Sequence, residues 1–294
     1  MSLVTEQSAA TIGPCVACGG TLDPRAKRLP NAKPIVGGAI MRCTSCGTNQ
    51  VIPRPSTEDL ASLYDSEYYE GFADGAGIAG GITELSPVLR ARLDEIERWV
   101  KKGRLLDVGC GFGLFVSYAA ERGWDAAGLE ISSWAAEEGS RRNKVIIHRG
   151  ELADAPFEPG SLDVIHFNHV IEHVLDPVTT MASARTLLRP GGLLVIEVPQ
   201  ELRYPISDRV FRALHPDLYQ GAPSDITHHL TFFTVAGLRS AALRAGLTVR
   251  RIGTVRHLRT GESRLPLGVL AKRFLYWTES VLETAPVIEM WATR

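Results

Sequence analysis

The chain has 294 residues, 45% apolar and 22% charged, the mixture of a globular protein with a sizeable core. Its 32 Lys and Arg against 33 Asp and Glu leave a net charge of −1, so no overall field draws it to nucleic acid or an anionic membrane. The first residues, MSLVTEQSAATIG, lack the basic start and apolar run of an export signal, and stretches such as Leu193 to Ile196 are too short to span a bilayer, so a cytoplasmic setting is expected.

The first feature along the chain is a pair of knuckles, Cys15-x2-Cys18 and Cys43-x2-Cys46, with 24 residues between them. In a reducing compartment paired thiols bind metal more readily than they form disulfides. Tetrahedral zinc needs four such ligands, which predicts a small zinc ribbon over residues 12–55. The segment carries six basic residues (Arg25, Lys27, Arg28, Lys33, Arg42, Arg54) against Asp23, a balance that invites an RNA-binding reading. Four thiolates on zinc cut that excess, and no aromatic residue precedes Tyr64 to stack on a base. A structural or substrate-gating ribbon is the favoured expectation, with nucleic acid not expected as a partner.

Residues 56–102 read as a helical linker and lid. Ile52-Pro53-Arg54-Pro55-Ser56 is stiff and extended, and Ser56 is placed to cap a short helix reaching Tyr64. The glycine-rich run from Gly71 to Gly81 suggests a mobile lid. From Ser86 to Val100 the residues Val88, Leu89, Leu93, Ile96 and Val100 recur at helical spacing.

Strands then alternate with helices. Strands are expected at 104–108, 125–131, 145–148, 162–167, 193–198 and 247–255, with helices from Phe112, Ser132, Pro177 and Thr234. The order predicts an α/β fold with a doubly wound, mainly parallel sheet over residues 103–260. Residues 200–233 interrupt it as an insertion walling an acceptor pocket. The tail, 261–294, reads as a C-terminal helix with Leu267, Leu270, Phe274, Trp277 and Val281 along one stripe, covering the pocket or making a homodimer contact.

The first chemical signal is LDVGCGFG at 106–113. Glycines at the carboxyl end of a strand let backbone approach a ligand in the crevice where doubly wound folds bind cofactors. The spacing is G-x-G-x-G, with Leu114 where a dinucleotide fingerprint needs glycine. Glu130 ends the next strand, 21 residues beyond Gly109, where a carboxylate can accept both hydroxyls of a ribose.

From about residue 84 to 255 the sequence resembles the class I S-adenosylmethionine (SAM) methyltransferases, a Rossmann-like family. DVGCGFG, GLEIS, Gly150-Glu151-Leu152, LDVIHFNHVIEHVLDP and LLRPGGLLVIEVPQ are similar to its successive motifs. The resemblance implies SAM as methyl donor, bound by Asp107, Gly109, Gly111, Gly113, Glu130, Ile131, Glu151, Leu152 and Asn168. At the amino end, RCTSCG, VIPRPS and Leu63-Tyr64-x3-Tyr68-Tyr69 resemble a bacterial subgroup that joins a four-cysteine ribbon to this domain, many members acting on sugars, polysaccharides or natural products. Deoxysugar C-methyltransferases share the ribbon and a Glu-His pair. Ubiquinone-pathway O-methyltransferases share Glu-His-Val-x-Asp-Pro.

His169, Glu172 and His173 stand at i, i+3 and i+4, one face of a helical turn after the fourth strand. His173 is the expected general base for a hydroxyl acceptor, with Glu172 orienting its imidazole. Two alternatives stay open: the two histidines and Glu172 hold a divalent metal, or they only pack the turn. Asp225-x2-His228-His229 ends the insertion and supplies candidate acceptor contacts in His228 and His229, with Tyr69 facing them beside Tyr64 and Tyr68. The expected activity is methyl transfer to a hydroxyl of a small, sugar-containing molecule. The rivals are methylation of an activated carbon and a ribbon-guided RNA-binding protein, catalytic or not.

Overall fold

The computed structural model describes residues 13–23, 39–56, 84–201, 206, 207, 209, 213, 229–256 and 269–294. The expected Ser56–Tyr64 helix, the Gly71–Gly81 lid, Tyr69 and His228 lie outside the described residues, as does most of the 200–233 insertion. Among the described residues no helix is long and apolar enough to cross a membrane.

Three short strands come first: β1 (Leu22–Asp23), β2 (Ala39–Cys43) and β3 (Asn49–Ile52). Helix α1 (Pro87–Trp99) follows, capped by Ser86, whose side chain accepts from the Leu89 N–H. The alternating unit runs β4 (Arg104–Val108), α2 (Leu114–Glu121), β5 (Asp125–Glu130), α3 (Ser133–Asn143), β6 (Ile146–Arg149) and β7 (Leu162–Asn168). It continues through α4 (Pro177–Leu187), β8 (Leu188–Pro199), β9 (Thr231–Phe232), α5 (Val235–Arg244) and β10 (Thr248–Val255). Helix α6 (Val269–Val281) and strand β11 (Val287–Thr293) end the chain.

The main sheet has seven strands in the order β10-β11-β8-β7-β4-β5-β6. Pairs β4–β5, β4–β7, β5–β6 and β7–β8 are parallel, as the alternation of strands and helices predicts. Strand β11 is antiparallel to both β8 and β10. It corrects the reading of 261–294 as a helix alone. Residues 287–293 form the seventh strand because Ile288, Met290 and Ala292 drop into one core face, while Trp291, on the other, stacks on Trp99 with ring centroids 5.3 Å apart.

Alternate residues of the strands feed two buried layers, one on each face of the sheet. Leu106, Ile165 and Phe167 join Met181 and Ala184 of α4 and Leu238 and Ala241 of α5. On the other face Leu105 and Val164 meet Leu93 and Ile96 of α1 and Phe115 of α2. At about 25 cal/mol per Å² of apolar area, each fully buried Leu or Ile contributes roughly 1.5–3 kcal/mol. The stripe on α6 is not core: Phe274, Trp277 and Val281 are 68%, 61% and 59% exposed.

The amino-terminal strands are not a separate bead. Strand β9, from beyond the fifth parallel strand, pairs antiparallel with β3 and completes a small four-stranded sheet, β1-β2-β3-β9. Cys15, Ala17, Leu22 and Cys43 belong to the same buried cluster as α5. Arg244 of α5 donates to the carbonyls of Val16 and Ala17, and Thr234 Oγ1 donates to the Cys46 carbonyl at 2.6 Å.

Candidate active site

Strand β4 ends in the glycine loop. Gly109 has φ +67°, and a Cβ there would stand 2.4 Å from Val170 Cγ2, so the loop can lie against the turn after β7 only without a side chain. Gly111, at φ +54°, has nothing within 4 Å of a would-be Cβ, so its open side is available to a ligand. Its N–H donates to Glu130 Oε2 at 2.9 Å, and the Ser132 N–H donates to Oε1 at 3.0 Å. Two backbone donors thus fix the carboxylate of Glu130 at the end of β5, 3% exposed.

Asp107, Gly109, Gly111, Glu130, Ile131, Glu151, Leu152 and Asn168 all line one cavity of about 760 Å³. Its volume is in the range of small-molecule and cofactor sites. A buried carboxylate pair, a loop that approaches without side chains and the apolar Leu152 beyond β6 give this cavity both charged and apolar walls. Gly113 lies just outside the lining, at the N-cap of α2.

The turn after β7 also borders the cavity, and both His169 and His173 line it. The helical spacing does not produce a helix here. His169 takes φ +55°, its N–H donates to the Glu197 carbonyl at 2.9 Å, and the chain turns through the His173 N–H donating to Val170. His169 Nδ1 lies 3.5 Å from Glu172 Oε1 and its Nε2 lies 3.5 Å from Glu197 Oε1. Burial alone would push its imidazole down, but the two carboxylates outweigh that and hold it up to about 10. His169 is therefore an imidazolium at neutral pH and has no lone pair to accept a proton.

Glu172 is 1% exposed, and neither carboxylate oxygen has a hydrogen-bond partner among the described residues. Burial pushes its carboxyl up, and the surrounding histidines His169, His173 and His229 bring it below the ordinary value. His173 and His229 meet edge to face with ring centroids 4.6 Å apart. His229 Nδ1 lies 2.8 Å from Glu201 Oε1; burial pulls its imidazole down, and Glu201 more than reverses that. One ligand atom each from Glu172, His173 and His229 falls within 4.8 Å of the others, a geometry suited to a cation. Structure thus brings His229 to the turn bearing Glu172 and His173, whereas its distance along the chain hides that contact.

Behind His169 lies a buried charge network that sequence patterning did not reveal. Arg92 of α1 bridges Glu197 of β8 and Glu289 of β11, the latter at 2.5 Å. Arg251 also meets Glu289, at 2.6 Å. Buried charges persist only when paired this way.

In the ribbon the four thiols gather at one point. Cys18 Sγ and Cys43 Sγ are 3.4 Å apart, and Cys15 Sγ and Cys46 Sγ are 3.7 Å apart. Four thiolates on one zinc at 2.3 Å stand about 3.8 Å from each other, so the cluster fits tetrahedral zinc. The Gly20 N–H donates to Cys18 Sγ at 3.3 Å. A hydrogen bond from Cys15 pulls the Cys46 thiol down to about 4 against its burial.

Arg54, one of the basic residues that suggested nucleic acid, is spent inside the protein. It donates to the carbonyls of Val174 and Leu175 at 2.9 and 2.5 Å, to the Leu230 carbonyl at 2.7 Å and to Thr231 Oγ1 at 3.0 Å. Leu230 and Thr231 in turn donate their N–H groups to the Glu172 carbonyl. The ribbon's exit and the turn bearing His173 are therefore joined by a buried guanidinium.

A protein-family model described as a methyltransferase domain matches residues 82–252. Ubiquinone biosynthesis O-methyltransferases from Paraburkholderia phymatum and Cupriavidus pinatubonensis are similar to this chain, 35% and 33% identical over 115 residues. Those matches cover 37% of this chain and 49% and 46% of the relatives, so it spans just under half of their length. A solved SAM-dependent methyltransferase from Archaeoglobus fulgidus shares the fold with a TM-score of 0.52 at 16% identity, covering 77% of this chain and 99% of the other. Geranyl diphosphate C-methyltransferase from Streptomyces coelicolor does so with a TM-score of 0.51 at 17% identity, covering 82% and 100%.

Proposed function

The chain belongs to the methyltransferase-domain family of SAM-dependent enzymes, and from that premise we propose that it methylates a hydroxyl of a small molecule, a sugar or sugar-containing natural product. One observation carries the reading. The turn bearing His169 and His173 opens on the same cavity as the glycine loop and Glu130. His169, held as an imidazolium, supplies positive charge there, and His173 is the general base. SAM supplies an electrophilic methyl on a sulfonium. With SAM bound, the acceptor oxygen would receive that methyl while the carbon–sulfur electron pair stays on sulfur, and His173 would take the hydroxyl proton.

Oxygen as the acceptor is supported by the O-methyltransferase relatives. The sugar class is supported by the resemblance of the ribbon and its proline-rich exit to the sugar and natural-product subgroup. A second reading rests on Glu172, whose buried oxygens have no hydrogen-bond partner among the described residues. In it a divalent cation, bound by Glu172, His173 and His229, lowers the pKa of the acceptor hydroxyl.

Incubating the protein with SAM bearing a labelled methyl group and pools of hydroxylated glycosides, isoprenoid phenols and RNA tests the proposal. The expected product carries the label on an oxygen of a sugar-bearing molecule. Label on a carbon, or in RNA alone, contradicts it. Retention of the rate in chelator, with the ribbon still holding zinc, favours the base over the cation.

A further inference from the structure

The turn bearing His169 is tied at its back to α1 through Glu197 of β8. Glu197 holds His169 twice: its backbone carbonyl accepts the His169 N–H at 2.9 Å, and its Oε1 stands 3.5 Å from the ring Nε2. Its other oxygen, Oε2, accepts from Arg92 Nη2. Arg92 Nη1 meets Glu289 Oε2 at 2.5 Å, and Arg251 meets Glu289 Oε1 and Glu95 Oε1, each at 2.6 Å. From the edge of the sheet inward the chain of contacts therefore runs Glu95, Arg251, Glu289, Arg92, Glu197 and His169, with the charges alternating.

Stability alone does not account for the buried part of this chain. Charges are costly to desolvate, and apolar residues of similar volume often hold a fold as well as a buried ion pair does. What a guanidinium adds is geometry, a rigid planar fork that can fix two carboxylates at once. Arg92 stands one turn beyond Leu89, which lines the cavity, and does not line it itself. Its effect on the cavity runs through Glu197. The His169 ring lies 3.5 Å from Glu172 Oε1 on one side and 3.5 Å from Glu197 Oε1 on the other. Without Arg92, the buried carboxylate of Glu197 would lose its guanidinium and be drawn onto the ring, toward the roughly 2.8 Å of a charge-assisted bond.

We propose that Arg92 is a positioning residue for methyl transfer: by holding Glu197 it keeps the His169 ring equidistant from Glu197 and Glu172, at the cavity wall. The proposal rests on the reading of this turn as the place where the acceptor is handled, and it adds a residue outside the cavity that sets the turn's geometry.

Nitrogen-15 spectra of the full chain, with the His169 ring signals assigned by their loss in His169→Gln, read the ring's surroundings without any acceptor. Arg92→Met is expected to move those signals, and so is Glu197→Gln, which keeps the shape of the side chain. Arg251→Met disturbs the same chain of contacts one carboxylate further away and should leave them in place. In methyl transfer from labelled SAM to hydroxylated glycosides, Arg92→Met and Glu197→Gln should each lower kcat about tenfold, the worth of one misplaced charge-assisted bond, with KM for SAM within about twofold. Arg251→Met should leave kcat near that of the wild type.

His169 signals that stay in place in both Arg92→Met and Glu197→Gln overturn the proposal. So do signals and kcat that change as much in Arg251→Met as in Arg92→Met, the result of a merely structural network. If Arg92→Met does not fold, Glu197→Gln against Arg251→Met decides. A wild-type protein that transfers no label to the glycosides refutes the acceptor reading instead, and the spectra still decide what holds His169.

Discussion

Replacing His173 by alanine is expected to lower kcat by about 10²–10⁴-fold, roughly 2.7–5.4 kcal/mol at the barrier, while SAM affinity stays within a few fold. The separation follows from position. His173 lines the same cavity as Glu130 and, under the proposal, takes the proton of the acceptor hydroxyl rather than touching the ribose. His169→Gln should cost less, because His169 enters as a charge held by Glu172 and Glu197 and not as a proton acceptor. His229→Ala separates base from cation. If Glu172, His173 and His229 hold a cation, this change should be as damaging as His173→Ala, and added Mg²⁺ or Mn²⁺ should restore rate to a stripped enzyme. Near wild-type turnover of His173→Ala on the true acceptor removes the proposed base.

Replacing Cys43 by serine is expected to empty the ribbon of its zinc and to lower the unfolding free energy by at least about 3 kcal/mol, since metal-binding energy at such sites is folding energy. Elemental analysis should find one zinc per wild-type chain and much less than one in the variant. The loss should not stay local. Cys43 lies in the buried cluster that includes α5, and Arg54 ties the ribbon's exit to Val174 and Leu175 beside His173. Turnover should therefore fall with the zinc. Arg54→Met, which keeps all four thiols, should retain the metal and still slow the enzyme. A zinc-free Cys43→Ser protein with unchanged stability and rate contradicts both the metal site and the coupling of the ribbon to the turn bearing His173.

The alternation of strand, glycine loop and helix was legible because buried parallel strands read as short apolar runs broken by glycine, as at Leu105 to Gly111. The thiols were legible from spacing alone. Strand β11 was not, because Glu289 interrupts its apolar pattern. Only the folded chain reveals that Arg92 and Arg251 neutralise that charge. Helix α1 hid the same network, since Arg92 falls among the buried positions of a helix whose apolar residues otherwise account for its inner face. The histidine turn shows a different limit. Spacings of three and four suggest a helix, but the left-handed backbone of His169 sends the chain elsewhere. Arg54 looked like part of a basic surface, and burial against four oxygen acceptors gave it another use.

The cofactor site is tested most directly by calorimetric titration of SAM into the wild-type protein and two variants. Wild type is expected to bind one SAM per chain. Glu130→Ala removes a carboxylate fixed by the Gly111 and Ser132 amides, and loss of its charge-assisted bonds to a ribose should weaken binding about 10- to 100-fold. Gly111→Val sets a branched side chain into open cavity at a φ of +54° and should weaken it at least as much. Weakened binding in both variants with folding retained is the expected result. Wild-type affinity in both would contradict the assignment of this cavity to SAM.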